Sequence, residues 1–393
     1  MKLCDLALYS PEATSGVRTY ISAKIAYVGR RPDIEHVVIV PGRDTGTRLD
    51  ARTKVITVPG LKSPYPGVRI GANIPAIAAL IEREHPDVIE LNCQYSLPWA
   101  AFLATRTSRA PIVGVYHTDV PACARHWARR AGAAIASGVE HVVEFYERLI
   151  YSHCTLTIIL NPAMRARVER LGARRIECLP CGVDIEMFHP RHRDDGFRQR
   201  LGITPARKVL IYAGRLSPEK ELDVLWDAFA RLPADEYALV VAGGGPDAAA
   251  VAARAATLPN VTYLGDIASR ADLARAFASA DLFVIPGRYE TFGMATLEAL
   301  ASGLPVVGIR DSGTATIVPR DLGILTPAGD AGALAAAITT AAAWPRDAMR
   351  EACRAFAAKS YAWDNVLDRY FALYRALLAP RGLADPQRDG ALA

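Results

Sequence analysis

Two glutamates eight residues apart, Glu290 and Glu298, are the first candidates for chemistry in this 393-residue chain. A carboxylate accepts hydrogen bonds from hydroxyls, as an acid does with ribose in dinucleotide sites. One glutamate on sugar hydroxyls and the other on ribose would suit a sugar nucleotide. A plainer reading has Glu298 balancing a helix dipole and Glu290 solvated. Upstream, Gly214-Arg-Leu-Ser-Pro-Glu-Lys220 offers two cations. Arg215 is a fork suited to phosphate oxygens and Lys220 a point charge, although Glu219 and Glu221 could simply neutralise the lysine. His117 heads His117-Thr-Asp119 directly after the apolar run Ile112–Tyr116. Polar residues past the carboxyl end of a parallel strand face the ligand crevice, but a lone histidine is more often structural.

The elements around these residues alternate between strand and helix. Leu282–Ile285 is a short apolar run, ended by Pro286 and Gly287, and reads as a buried parallel strand. A polar loop through Arg288, Tyr289, Glu290 and Thr291 opens onto a helix over Met294–Ala301. Its free N–H groups and dipole favour an anion. Ser217 and Pro218 read as N-cap and first residue of another helix, with Lys220 in its first turn. Earlier, strands are expected at Leu3–Leu8, Val37–Val40, Lys54–Val58, Val88–Leu91, Ile112–Tyr116 and Leu156–Leu160, with helices between most of them. That alternation predicts parallel sheets with crossover helices. Gly16 precedes the first helix and lets the backbone approach a ligand closely. Gly243-Gly-Gly-Pro246 fits only a loose dinucleotide pattern. Ile135, Val139, Val142, Val143, Tyr146 and Ile150 share one face of a long helix. Arg125-His-Trp-Ala-Arg-Arg130, just before it, reads as a lipid-headgroup or acceptor-facing patch or as a solvated helix end.

The phrase Glu290-Thr-Phe-Gly-Met-Ala-Thr-Leu-Glu298-Ala-Leu-Ala-Ser-Gly-Leu-Pro-Val-Val resembles the paired-glutamate signature of retaining glycosyltransferases of family 4. Gly214-Arg215-Leu216 with Lys220 matches that family's diphosphate clamp. Pro180-Cys-Gly-Val-Asp-Ile-Glu-Met-Phe-His-Pro190 resembles its interdomain crossing, with Cys181 where members usually carry Asn. The resemblance spans about residues 2–378. It implies an α/β protein of the GT-B fold, with two facing Rossmann-like domains. Residues 1–190 form the acceptor side and 191–360 the nucleotide-sugar side. Residues 361–379 form a helix packing back on the first domain, and 380–393 a disordered tail.

The implied reaction moves a hexose from a nucleotide-diphosphate sugar to a hydroxyl acceptor, a glycolipid or polysaccharide precursor being among the acceptors in view. His117, Arg215, Lys220 and Glu290 carry catalysis. Gly16, Gly244, Ile267, Thr291, Phe292, Gly293, Met294 and Glu298 hold the donor. Asp119 and Arg125 face the acceptor. The His117-Thr-Asp119 wording resembles members that use mannose, so GDP-mannose is the expected donor with a UDP-hexose close behind. The alternatives are a non-catalytic sugar-nucleotide binder and a nucleotide-sugar epimerase of the same fold.

Hydrophobic residues at 51% and charged residues at 22% suit a globular protein with full-sized cores. A net charge of +5 fits an anionic small ligand or membrane surface and is too weak to argue for nucleic acid. Seven scattered cysteines predict reduced thiols, and the single Cys178-Leu-Pro-Cys181 lacks the second pair a zinc site needs. No Asp-x-Asp occurs, so neither metal nor cofactor is expected. Without a leader or a run of 18 apolar residues, the expectation is a cytoplasmic protein, at most peripheral to the inner face of a membrane.

Overall fold

The computed structural model describes residues 1–8, 16–63 and 69–379, and the tail expected at 380–393 lies outside them. Among the described residues two sheets form. The first contains β1 (Lys2–Ala7), β2 (Glu35–Gly42), β3 (Gly46–Asp50), β4 (Thr53–Lys62), β5 (Arg69–Gly71), β6 (Val88–Asn92), β7 (Ile112–Tyr116), β8 (Leu156–Ile159) and β9 (Ile176–Cys178). Its order is β3-β4-β2-β1-β6-β7-β8-β9, with β5 paired to β4. The second contains β10 (Lys208–Ala213), β11 (Tyr237–Ala242), β12 (Val261–Tyr263), β13 (Leu282–Val284), β14 (Val306–Ile309) and β15 (Gly323–Thr326), in the order β12-β11-β10-β13-β14-β15. Every pairing in the second sheet is parallel. The central strands are apolar on both faces because helices cover both.

The sequence reading missed two strands. β3 and β5 add antiparallel to β4; β3 is largely exposed and polar and β5 is only 3 residues long, so neither carries hydrophobic alternation for a reader to find. Helices α1 (Gly16–Gly29), α2 (Ile74–Glu84) and α3 (Leu97–Ser108) serve the first sheet. So do α4 (Val120–Ala128), α5 (Ala133–Tyr151) and α6 (Arg165–Arg170). Then come α7 (Asp195–Arg200), α8 (Leu222–Phe229), α9 (Ala248–Ala256), α10 (Arg270–Ser279), α11 (Met294–Ala301), α12 (Ala331–Ala342), α13 (Arg346–Tyr361) and α14 (Trp363–Leu378).

The chain crosses from the first sheet to the second near Leu179–Pro190 and returns through α13 and α14. Val183 pairs with Ala362 as an isolated parallel bridge, and its amide donates to the Tyr361 carbonyl at 2.7 Å. α14 packs against α1 and the first sheet. Phe371 stacks on Tyr27 at 5.2 Å, the Tyr370 hydroxyl donates to the Leu179 carbonyl at 3.0 Å, and Arg375 pairs with Asp33 at 2.7 Å. One contiguous apolar core therefore joins α1 and α14 to residues under both sheets. The other face of each sheet has its own cluster.

α5 departs from the expected apolar face. Ile150 is buried, but Ile135, Val139, Val142 and Phe145 are 55%, 37%, 70% and 65% exposed. The periodicity is real and α4 packs against this helix, burying Ala136, yet these four side chains stay exposed among the described residues.

Candidate active site

The site is built at the carboxyl ends of the second sheet's strands. β13 stops before Pro286 and Gly287, and the loop Arg288–Gly293 leads into α11. Ser217 was expected to cap a helix containing Lys220. Instead its hydroxyl donates to Glu219 at 2.6 Å, and Pro218–Lys220 forms a single 3-10 turn. Glu221, with φ of +50°, then breaks the path, and α8 begins only at Leu222. The break swings Lys220 toward the 288–293 loop, where its Nζ lies 2.6 Å from Glu290 Oε2. Gly287 makes this approach possible, since a Cβ there would sit 3.1 Å from both Cα and O of Lys220. Burial opposes the lysine's charge, but Glu290, and Glu219 behind it, outweigh that and hold its pKa above the ordinary value. A permanent cation and a carboxylate are thus presented side by side.

Glu298 lies in α11 and is 5% exposed. Burial pushes its pKa up, while Arg270, whose Nη2 donates to it at 2.8 Å, pulls the other way. Nothing in the sequence singled out Arg270, 28 positions earlier. It stands over the Phe188 ring at 4.9 Å and reaches Thr19 of α1 at 3.5 Å, so it touches both halves of the molecule.

The loop itself is held through its backbone. The Gly313 amide donates to the Glu290 carbonyl at 2.6 Å, and the buried Asn161 side chain donates to the Thr291 carbonyl. Gly293, with φ of +99°, turns the chain into α11. Phe292 is 4% exposed and belongs to the core, which leaves its backbone for any ligand. Met294 faces Gly16, where a Cβ would meet its side chain at 3.6 Å.

In the glycine-rich turn the sterically constrained positions flank Gly244, the residue expected to hold the donor. A Cβ on Gly244 would meet only the Asp266 side chain, at 3.1 Å. Gly243 and Gly245 are the constrained positions, with φ of +140° and +148°. Cβ atoms there would fall 1.8 Å from the Gly214 carbonyl oxygen and 2.3 Å from that of Leu216. Together with the bond from the Leu216 amide to the Gly244 carbonyl at 2.8 Å, these glycines brace the exposed turn that carries Arg215. Ile267 is half-buried against the core beyond that turn.

On the first-sheet side, His117 is half-buried at the end of β7, with its Nε2 2.8 Å from Asn92 Oδ1. Burial, then the nearby Lys24 charge, push its pKa down to about 3. Asp119 is occupied structurally. It caps α4 through the Ala122 amide at 3.1 Å and receives Arg167 Nε at 3.3 Å. Arg125 is exposed and pairs with Glu140 at 3.0 Å. The basic segment around it proves to be helix α4, which crosses to the second half. There the His126 and Tyr289 rings lie 4.8 Å apart, and Trp127 Nε1 donates to Glu219 at 3.3 Å.

Two family models match the chain, "Glycosyl transferases group 1" over residues 207–343 and "Glycosyltransferase Family 4" over 14–187. The chain is 32% identical over 364 residues to the GDP-mannose-dependent alpha-mannosyltransferase of Mycolicibacterium smegmatis, covering 90% of this chain and 92% of that one. It is 29% identical over 398 residues to the GDP-mannose-dependent alpha-(1-6)-phosphatidylinositol dimannoside mannosyltransferase of Mycobacterium tuberculosis, covering 98% and 99%. Among solved structures, sucrose-phosphate synthase from Thermosynechococcus elongatus superposes with a TM-score of 0.78 at 19% identity, over 96% of this chain and 99% of that one. Anabaena HepE in complex with UDP and glucose does so with 0.73 at 20%, over 96% and 100%. Such low identities speak for the fold alone. With two facing α/β sheets, matches to both family models and a near full-length relative above 30% identity, this chain belongs to glycosyltransferase family 4 and is a glycosyltransferase of the GT-B fold.

Proposed function

We propose that the chain transfers mannose from GDP-mannose, with retention of configuration, to a hydroxyl of a glycolipid acceptor. The observation that carries this reading is the contact between Lys220 and Glu290. Breaking the bond from the sugar carbon to the diphosphate leaves negative charge on phosphate and an oxocarbenium-like sugar. Preorganised cations aimed at that charge stabilise the transition state more than the ground state. Lys220, with Arg215 on the braced turn, serves as the cation pair. Glu290 and the amides of Phe292, Gly293 and Met294 hold sugar hydroxyls, with Thr291 in the same loop. Glu298 takes the ribose, and Gly16, Gly244 and Ile267 line the donor pocket. No metal step is needed in this scheme.

The donor and the lipid character of the acceptor come from the relatives, whose names specify GDP-mannose and, for one, a phosphatidylinositol dimannoside. No helix among the described residues is long and apolar enough to cross a membrane. The half-bare face of α5 beside basic α4 supports a peripheral contact with an anionic membrane, with the enzyme on its cytoplasmic side. We place the division of the chain at residues 1–190 and 191–360, with 361–379 returning to the first part.

The test is thermal stabilisation by GDP, UDP and ADP and their sugar conjugates, on wild type and Lys220→Ala. Ligand that binds the native state raises the midpoint by mass action. GDP and GDP-mannose should shift the wild type, and the shift should shrink in the variant. Mannose transfer to a phosphatidylinositol-mannoside acceptor should persist in EDTA and give an α-linked product. A shift with UDP alone would replace the donor, and no shift with any nucleotide would remove the reading.

A further inference from the structure

β6 and β7 are parallel neighbours, with Leu91 opposite Gly114, so Asn92 and His117 come out side by side at their carboxyl ends. Asn92 is 3% exposed. Its Nδ2 donates to Asp5 Oδ1 at 3.2 Å and Glu90 Oε1 at 2.9 Å. Lys24 and His36 hold Asp5 as a carboxylate. Lys24 Nζ is 3.0 Å from Oδ1, His36 Nε2 is 2.7 Å from Oδ2, and their pull outweighs burial to bring its pKa down to about 2. An ionised carboxylate only accepts, so the amide nitrogen of Asn92 must face it. The amide oxygen is thereby turned onto His117 Nε2, at 2.8 Å. An amide oxygen also only accepts, so Nε2 carries the ring proton and Nδ1 keeps the lone pair. The ring is seated edge-on against Tyr20, with centroids 5.4 Å apart at 64°. Among the described residues, no other protein group is bonded to the ring nitrogens.

We propose that Asn92 is a positioning residue for transfer, holding His117 as the Nε2–H tautomer so that Nδ1 accepts a hydrogen bond from a hydroxyl of the donor sugar. This rests on the proposed mannose transfer, with His117, named above among the residues implied in catalysis, taken as a contact of the donor sugar. Asn92 itself touches no substrate. It acts by excluding the other tautomer, in which Nδ1–H would be a donor and would leave Nε2 facing the Asn92 oxygen, lone pair to lone pair. The buried group Asp5, Lys24, His36 and Glu90, remote from the reacting atoms, thereby gains a role. It fixes the orientation of one amide, and that amide fixes one proton on one imidazole.

The experiment uses full-length protein with its eight histidines labelled with 15N, His117→Gln supplying the assignment. Long-range 1H–15N correlation at pH 7 should show His117 neutral with the proton on Nε2, and GDP-mannose, but not GDP, should move the Nδ1 resonance. In Asn92→Leu the Nδ1–H form should appear. Its kcat should fall on the order of 10-fold to 100-fold, as misorientation near a reacting centre does, with KM for GDP-mannose changed less than about threefold. Asn92→Asp, which keeps an acceptor but adds a charge, should restore the Nε2–H form and move the acid limb of the kcat profile to higher pH. A wild-type ring with its proton on Nδ1, or a charged ring at pH 7, overturns the role of Asn92 whatever the variants do. The correct tautomer with an Nδ1 resonance indifferent to GDP-mannose overturns the donor-sugar reading of His117 instead, and the two failures are distinct.

Discussion

At the scale of single residues, the molecule separates ionisable groups that are paired from one that is buried without a partner among the described residues. Lys220 with Glu290 and Arg270 with Glu298 are opposite charges in contact at the candidate site. Glu147 is different. It is 1% exposed, and among the described residues neither carboxyl oxygen has a hydrogen-bond partner. Burial, then the Asp119 charge, push its pKa up to about 9. Between about 4.5, its ordinary value, and 9 the folded chain keeps a proton that the unfolded chain releases. Stability therefore falls as pH rises through that window. Glu147→Gln removes this dependence. Its melting temperature relative to wild type should climb as pH goes from 5 to 9, by about 3 °C or more, since 1 kcal/mol is worth roughly 2–4 °C in a domain of 150–250 residues. A constant difference across pH in calorimetry would contradict the assignment.

At the scale of elements, short irregular segments do the positioning and regular ones the bracing. The 3-10 turn Pro218–Lys220 aims the lysine, and the Gly243–Gly245 turn supports Arg215 from beneath. Gly243→Ala would set a methyl group into the Gly214 carbonyl at a φ that L residues rarely adopt. It should lose more than about 4 kcal/mol of stability, in the range where strain and overpacking combine. Gly244→Ala, meeting the exposed Asp266 side chain from its Cβ outward at 3.1 Å, should lose only about 1 kcal/mol. Urea denaturation of the two variants measures the contrast. On α5, Phe145 and Val142 stand 65% and 70% exposed. If that face enters an anionic bilayer, Phe145→Glu should weaken binding to vesicles containing anionic phospholipid by on the order of 10-fold, through lost apolar burial and added repulsion. Co-sedimentation at low salt reads this, and unchanged binding would free the face from that role.

At the scale of the whole molecule, much was legible in the chain. Alternating apolar runs and helical stretches announced two parallel sheets, because a strand buried on both faces must be apolar throughout. The phrase from Glu290 to Val307 and the Gly214–Lys220 stretch marked the candidate donor loops, since a backbone that approaches phosphate needs glycine and cations close together in sequence. Contacts between distant segments left no such trace. Arg270 beside Glu298, Asn161 under Thr291, Asn92 behind His117 and Gly287 beneath Lys220 depend on strand order and on which helix crosses to which half. Periodicity named the apolar face of α5 but could not say that much of it stays exposed among the described residues. It allowed the basic segment after Asp119 to be a helix end but gave no sign that it reaches Glu219 and Tyr289. Local pattern and motif determined the fold class, the family and the candidate cations and carboxylates, because those follow from near-neighbour sterics and burial along one chain. Tertiary packing alone decided which charges meet, which protons are held and which surfaces stay bare, because those energies depend on atoms that lie far apart along the chain.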